Sequence, residues 1–286
     1  MKNFFKSIGK AALYFAVYYV VQFVVSYVYG VVWTAQQTAA LMAAGEQVDV
    51  MALTEQLSAH LMDNLMFITL ISNAVTLLVY WIRFAVRKKR FAKEVELKPV
   101  EAKSLLPVVI GAMGFNIIVT VVINFFPWPD AWMDAYMTNS ASLDGSLISW
   151  ISAVIMAPVI EEILFRGLVY TRLKKGMPAI VAAIVASLAF GLCHSGIIWI
   201  IYATALGLVM TWIFEKYQSL VANILFHLAF NAMGLVFTVI PESAEALVWV
   251  LFVASIPVCI FAVKKVLKVT DVQETVIEQI EEACEA

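Results

Sequence analysis

LISWISAVIMAPVIEEILFRGLVY, residues 147–170, is a run of almost pure hydrocarbon interrupted by Glu161, Glu162 and Arg166. A helix needs about 20 mostly apolar residues to cross the hydrocarbon core of a bilayer, and this stretch is long enough. Its charges are then an anomaly, because each costs at least about 2.5–3.5 kcal/mol at the centre of a span. The stretch therefore reads as a membrane helix that carries ionisable groups for a purpose.

The rest of the chain has the same character. Of 286 residues, 63% are hydrophobic and 14% charged, and the mean hydropathy is +0.89. Globular domains run nearer about 45–50% apolar and about 25% charged, so a soluble chain would lack the charge to cover its surface. The expected fold class is all-α, a polytopic membrane helix bundle of about eight transmembrane helices. The stretches that approach spanning length are Ala11–Trp33, Leu65–Phe84, Leu105–Phe126, Leu147–Tyr170, Pro178–His194, Ile197–Phe214, Leu220–Ile240 and Leu247–Val263. The first follows Lys2, Lys6 and Lys10, but its apolar run is too long for a signal peptide and no cleavage site follows, so it reads as a retained anchor.

Lysine and arginine set the expected orientation, because positive loops stay in the cytoplasm. With the N-terminus inside, segments 1–10, 85–104, 171–177, 215–219 and 264–286 hold 17 of the 19 basic residues. Arg83 lies one turn from an inner end, within reach of the interface. Arg166 alone stays inside a span. Segments 34–64, 127–146, 195–196 and 241–246 contain no Lys or Arg but several Asp and Glu. An integral, multi-pass protein with both termini cytoplasmic satisfies every loop. Residues 1–268 form the expected eight-span membrane domain, with its polar motifs in about 147–263, and 269–286 an acidic amphipathic cytoplasmic tail. Residues 34–64 read as an amphipathic outer helix or an extension of helix 1.

Polar groups in the spans carry the chemistry. Glu162 and Arg166 are i, i+4 neighbours that can pair on one face. Glu161 points about 100° away and stays free to face a cavity. Two of the three histidines, His194 and His227, lie in spans, and Asn231 follows His227 by one turn. A carboxylate, two imidazoles and an amide make a parts list for hydrolysis, with a general base and donors for an oxyanion. An ion or proton pathway fits the same residues equally well. Cys193, Cys259 and Cys284 show no metal-ligand spacing, and HExxH is missing. Nucleic acid is excluded as a partner, because the basic residues form no domain-scale surface.

Glu-Glu-x-x-x-Arg (Glu161, Glu162, Arg166), Phe-x-x-x-His (Phe190, His194) and His-x-x-x-Asn (His227, Asn231) resemble the motifs of the CAAX prenyl endoprotease and bacteriocin-processing family, CPBP or Abi. They occur in the expected order across residues 158–234. The resemblance implies a type II CAAX protease fold and an intramembrane endopeptidase that cleaves a peptide bond near the cytoplasmic interface. In that family Glu161 would be general base on a water also held by His194. His227 and Asn231 would donate to the oxyanion. Glu162, Arg166 and Phe190 would stand behind them, the ion pair fixing helix 4.

Such proteases are described both as metalloenzymes and as metal-independent glutamate proteases. Asparagine is an uncommon zinc ligand but a good donor, which favours the glutamate form with no cofactor required. Zinc on Glu161, His194 and His227 is the alternative. Expected partners are membrane lipids and a peptide or protein substrate, prenylated or a leader peptide. A non-enzymatic role, as bacteriocin-immunity factor, scaffold or regulator, is the competing class, and a proton-coupled transporter a third.

One geometric conflict stands in the sequence. Glu161 and His227 lie about 14 and about 11 Å from the inner ends of their helices, but His194 about 24 Å along its own. An inner-leaflet site needs helix 5 to start outside the hydrocarbon, to tilt, or to break near Gly191.

Overall fold

In a bilayer core every backbone N–H and C=O must find its partner within the protein, which leaves helices as the elements open to so apolar a chain. The computed structural model describes residues 2–140, 146–238 and 244–269, and no strand occurs among them. The acidic tail expected over 269–286 lies outside the described residues beyond Val269.

Helix α1 (Lys2–Ala43) runs on well past the expected span. At 1.5 Å per residue its 42 residues reach about 63 Å, roughly twice the hydrocarbon thickness. Helix α2 (Val50–Asp63) is a separate amphipathic helix. Asp49 caps it, its carboxylate accepting from the backbone N–H of Met51 (2.9 Å) and Ala52 (3.2 Å). Residues 34–64 thus contain both an extension of the first helix and a helix of their own. Next come α3 (Leu65–Val86), α4 (Ala102–Phe125) and a short helix, α5 (Asp130–Ser140). Helix α6 (Leu147–Leu173) contains the opening motif. Then α7 (Ala179–Gly191), α8 (Ile197–Tyr217), α9 (Leu220–Thr238) and α10 (Glu245–Leu267) complete the described bundle.

Seven of these helices are long and apolar enough to cross a membrane. The expected fifth span is the exception. Helix α7 has 13 residues, about 20 Å, because the chain leaves helical geometry at Gly191. It still links opposite ends of the bundle. The turn before it packs Gly176 against Ser7 of α1, and the turn after it is held by Asn139 of α5, whose amide donates to the Ser195 carbonyl at 3.0 Å.

Helix α6 is the central post. Ile160, Leu164, Phe165, Leu168 and Tyr170 are all essentially buried, and a helix apolar on every side belongs inside a bundle. Helices α1, α3, α7 and α9 surround it, while α9 and α10 pack on α4. Its hydrogen bonding is unusual. Ile151–Met156 and Ile163–Tyr170 are π-helical, flanking one α-helical stretch, Ala157–Glu162. Wider turns of this kind recur at functional sites, since they re-aim side chains that a regular helix would disperse.

Helices α7 and α8 form a tight hairpin. A Cβ on Gly207 would lie 2.9 Å from the Ser187 Cβ and 3.1 Å from its Cα, so only glycine allows this approach. Membrane helices associate through small residues in this way, because packing replaces the missing hydrophobic force. Gly207→Val forces α7 from α8 and is expected to destabilise the protein by about 1–3 kcal/mol, the usual cost of overpacking. Thermal unfolding in mild detergent measures it, and an unchanged midpoint would refute the close approach.

Candidate active site

The site grows from the α-helical stretch of α6. Glu162 is fully buried and Arg166 is 1% exposed, which is tolerable only for a paired charge with its hydrogen bonds satisfied. Arg166 Nη1 donates to Glu162 Oε1 at 2.7 Å, and Nη2 donates to the Gly207 carbonyl of α8 at 3.0 Å. The guanidinium also lies over the Phe190 ring, 4.7 Å from its centroid. Two more donors complete the carboxylate. Asn223 Nδ2 of α9 reaches Glu162 Oε2 at 3.1 Å while also donating to the Met210 carbonyl at 2.7 Å. His227 Nδ1 lies 3.0 Å from Glu162 Oε1. A carboxylate that accepts from an arginine, an amide and an imidazole is ionised, so His227 Nδ1 carries a proton.

Glu161 is placed differently. Its side chain is 19% exposed where that of Glu162 is 0%, and its Oε2 lies 3.7 Å from His227 Nε2. That spacing is too long for a direct hydrogen bond and suits a shared third group. Tyr18 of α1 and Tyr202 of α8 lie within electrostatic range of Glu161. The adjacent glutamates thus divide as expected, one neutralised and one accessible.

His194 stands in the turn after α7, not within a helix. Its backbone N–H bonds to the Gly191 carbonyl at 3.0 Å, and Gly196, at φ 90°, starts the chain into α8. Its ring Nδ1 is 3.0 Å from the Phe190 carbonyl, an acceptor only, so Nδ1 is the protonated nitrogen and Nε2 keeps its lone pair in the neutral ring. Phe190 explains the spacing of its motif. Its ring meets the His194 ring edge-on at 5.0 Å between centroids and the His227 ring at 5.9 Å, joining both imidazoles through one aromatic spacer. Trp199 stacks on the far side of His194 at 5.8 Å.

Three features of the structure bear on these residues. First, α7 breaks after Gly191, one of the routes to a shared site, and His194 lies in the turn that Asn139 of α5 holds. Second, Asn231 is already engaged, its Nδ2 donating to the Ala153 carbonyl of the first π-helical run at 2.8 Å. One amide hydrogen remains. Third, among the described residues no three His, Cys, Asp or Glu side chains are gathered to hold a metal ion.

Sequence reasoning missed Asn223 and Trp199. Asn223 precedes His227 by four residues and so shares its helix face, a signal legible in Asn-x-x-x-His-x-x-x-Asn. Trp199 had no such signal, because the turn at 192–196 brings it back over His194.

Removing one member of a buried ion pair strands the other, which typically costs about 3–5 kcal/mol. Arg166→Met is expected to lose stability in that range, read from unfolding in mild detergent. A loss below about 1 kcal/mol would mean that His227 and Asn223 suffice to hold Glu162.

A family model described as Rce1-like, type II CAAX prenyl endopeptidase, matches residues 143–233, the segment that contains Glu161, Glu162, Arg166, Phe190, His194, His227 and Asn231. The UPF0177 protein YbdI of Lactococcus lactis subsp. lactis (strain IL1403) is 28% identical over 137 residues, which cover 46% of this chain and 74% of that protein. No solved structure matches the chain. Motifs, buried ion pair and matched segment coincide on the same helices, and over residues 143–233 the chain is similar to the Rce1-like type II CAAX prenyl endopeptidases.

Proposed function

We propose that the protein is an intramembrane endopeptidase in which Glu161 activates water for attack on a peptide bond. The family is one of CAAX-type intramembrane proteases. The observation that supports the glutamate form is the split between neighbouring carboxylates: Glu162 is consumed by Arg166, Asn223 and His227, whereas Glu161 is partly exposed and faces the second nitrogen of the same imidazole.

Roles follow from the hydrogen bonds. Glu161 takes a proton from the attacking water and returns it to the leaving amine. His194, with Nδ1–H held by the Phe190 carbonyl, offers Nε2 as an acceptor that orients that water. His227 has its Nδ1–H committed to Glu162, so donation from Nε2 to the oxyanion requires the doubly protonated ring, with Glu162 as its counter-charge. The remaining hydrogen of Asn231 Nδ2 supplies a second donor. Arg166, Phe190 and Asn223 position these groups. We further propose that both termini lie on the Lys- and Arg-rich side, following the charge asymmetry of the loops.

The test is cleavage of a peptide library by the purified, folded protein. Glu161→Gln keeps the shape and removes the base, so the rate should fall by about 10²–10⁴. Asn231→Ala should lower kcat by roughly 10²–10³ with little change in KM, as loss of an oxyanion donor does. Full activity in Glu161→Gln would end the general-base assignment. Orientation is read separately from fusions after Ala286. A fluorescent protein should fluoresce there in a bacterial host and alkaline phosphatase should stay inactive, and the reverse pattern would overturn the topology.

A further inference from the structure

A polar cavity of about 250 Å³ lies away from Glu161 and Glu162, at the other end of α6. Asn3, Lys6, Ser7 and Lys10 of α1 form one wall, and Arg172 and Lys175 form the other. The walls are built rather than incidental. A Cβ on Gly176 would lie 2.7 Å from both Cβ and Oγ of Ser7, so glycine lets the first turns of α1 seat directly on the turn after α6. Arg172 is 8% exposed and fixed by the Glu94 carboxylate (2.9 Å) and by the carbonyls of Glu94 and Gly167, both at 3.0 Å.

The charge of this cavity is unbalanced. Lys6, Lys10 and Lys175 pair with no carboxylate among the described residues. The nearby acid is Glu94. Burial pushes its carboxyl up, but the hydrogen bond from Lys89 and the charges of Lys89, Arg172 and Lys175 outweigh that and hold it below the ordinary value. It is ionised and already shared between Lys89 and Arg172. Four cationic side chains thus face one engaged carboxylate. The first turn of α1 has no acidic residue, so the unpaired N–H groups of that turn add to the positive potential.

Beside the cavity the surface is greasy. Phe5 is 68% exposed, and Phe4 and Ile8 are 39% and 37% exposed on the same turns as Lys6 and Lys10. A charged recess with exposed aromatic and aliphatic groups alongside matches a molecule with a phosphate at one end and hydrocarbon at the other. Basic recesses between membrane helices take lipid headgroups by this logic. We infer that the cavity between the start of α1 and the Arg172–Lys175 turn binds the phosphate of an anionic membrane lipid. The site is independent of hydrolysis and does not rest on the assignment of Glu161.

Native mass spectrometry of the full chain, released from micelles doped with phosphatidylglycerol or phosphatidylcholine, tests it. Wild type should retain phosphatidylglycerol in preference to phosphatidylcholine. Joint replacement Lys6→Gln, Lys10→Gln, Lys175→Gln should reduce that retention by at least about tenfold, since each lysine near an anionic surface is worth roughly fivefold. Joint replacement of Arg87, Lys88 and Arg90 by Gln removes equal charge elsewhere and should leave it intact. If the triple variant does not fold, Lys6→Gln and Lys175→Gln alone should each show the loss. Equal retention of both lipids, or equal loss in the two triple variants, overturns the site. If excess inorganic phosphate binds the wild type and phosphatidylglycerol does not, the ligand is free phosphate and the lipid assignment falls. Retention that appears only after deletion of residues 270–286 would show the acidic tail as the occupant and refute the proposal equally.

Discussion

The ion pair between Glu162 and Arg166 constrains everything around it. Two charges buried in a bundle that is itself buried in lipid have no water to fall back on, so their polar atoms need designated partners, and all but Arg166 Nε among the guanidinium nitrogens have one. Those partners come from three other elements: the Gly207 carbonyl of α8, the Asn223 amide and His227 ring of α9, and the Phe190 face of α7. One pair of side chains thus specifies the register of three helices against α6. The bare glycines Gly207 on α8 and Gly191 at the end of α7 serve a separate contact, the close approach of α7 and α8 to each other.

This arrangement creates a difference between two residues that are chemically identical and adjacent. Glu162 is saturated with donors and locked in its charge. Glu161, one step round the helix, stays partly exposed and has a carboxylate oxygen near His227 Nε2. Imidazole tautomers are set in the same manner, by what sits on Nδ1: a carbonyl for His194 and a carboxylate for His227. The chemistry of the site is therefore decided one shell behind the groups that would touch a substrate, as in metal sites where the outer partner fixes the ring. The π-helical runs on both sides of Ala157–Glu162 let one post serve both purposes, turning Ala153 toward Asn231 and keeping Arg166 under Glu162.

Most of the fold was legible along the chain. Hydropathy located six of the eight expected spans to within about four residues, because lipid leaves the backbone so little choice, while α1 runs well past both expected ends. The site was legible in its parts. Glu161 and Glu162 separate by helical geometry alone, and the three motifs named the groups that assemble. Two things were hidden. Helix α7 has the apolar length of a full span, and only the structure selects the break after Gly191 among the alternatives that the depth of His194 left open. Asn231 reads as a free donor, yet is half spent on Ala153, a partner 78 residues away.

What the sequence by itself determined is the kind of protein and its inventory: an all-helical membrane bundle with a charged post, two buried imidazoles and a basic rim. Burial cost and helical periodicity are local, and both can be computed from composition and spacing. What only the tertiary structure decided is which polar atom meets which. It made Asn223 a support of Glu162, set Trp199 over His194 and seated α1 against Gly176 to close a cationic recess. Those outcomes depend on turns, on glycines that admit a neighbouring helix and on side-chain directions altered by π-helical turns, and none of these has a signature within a single window of sequence.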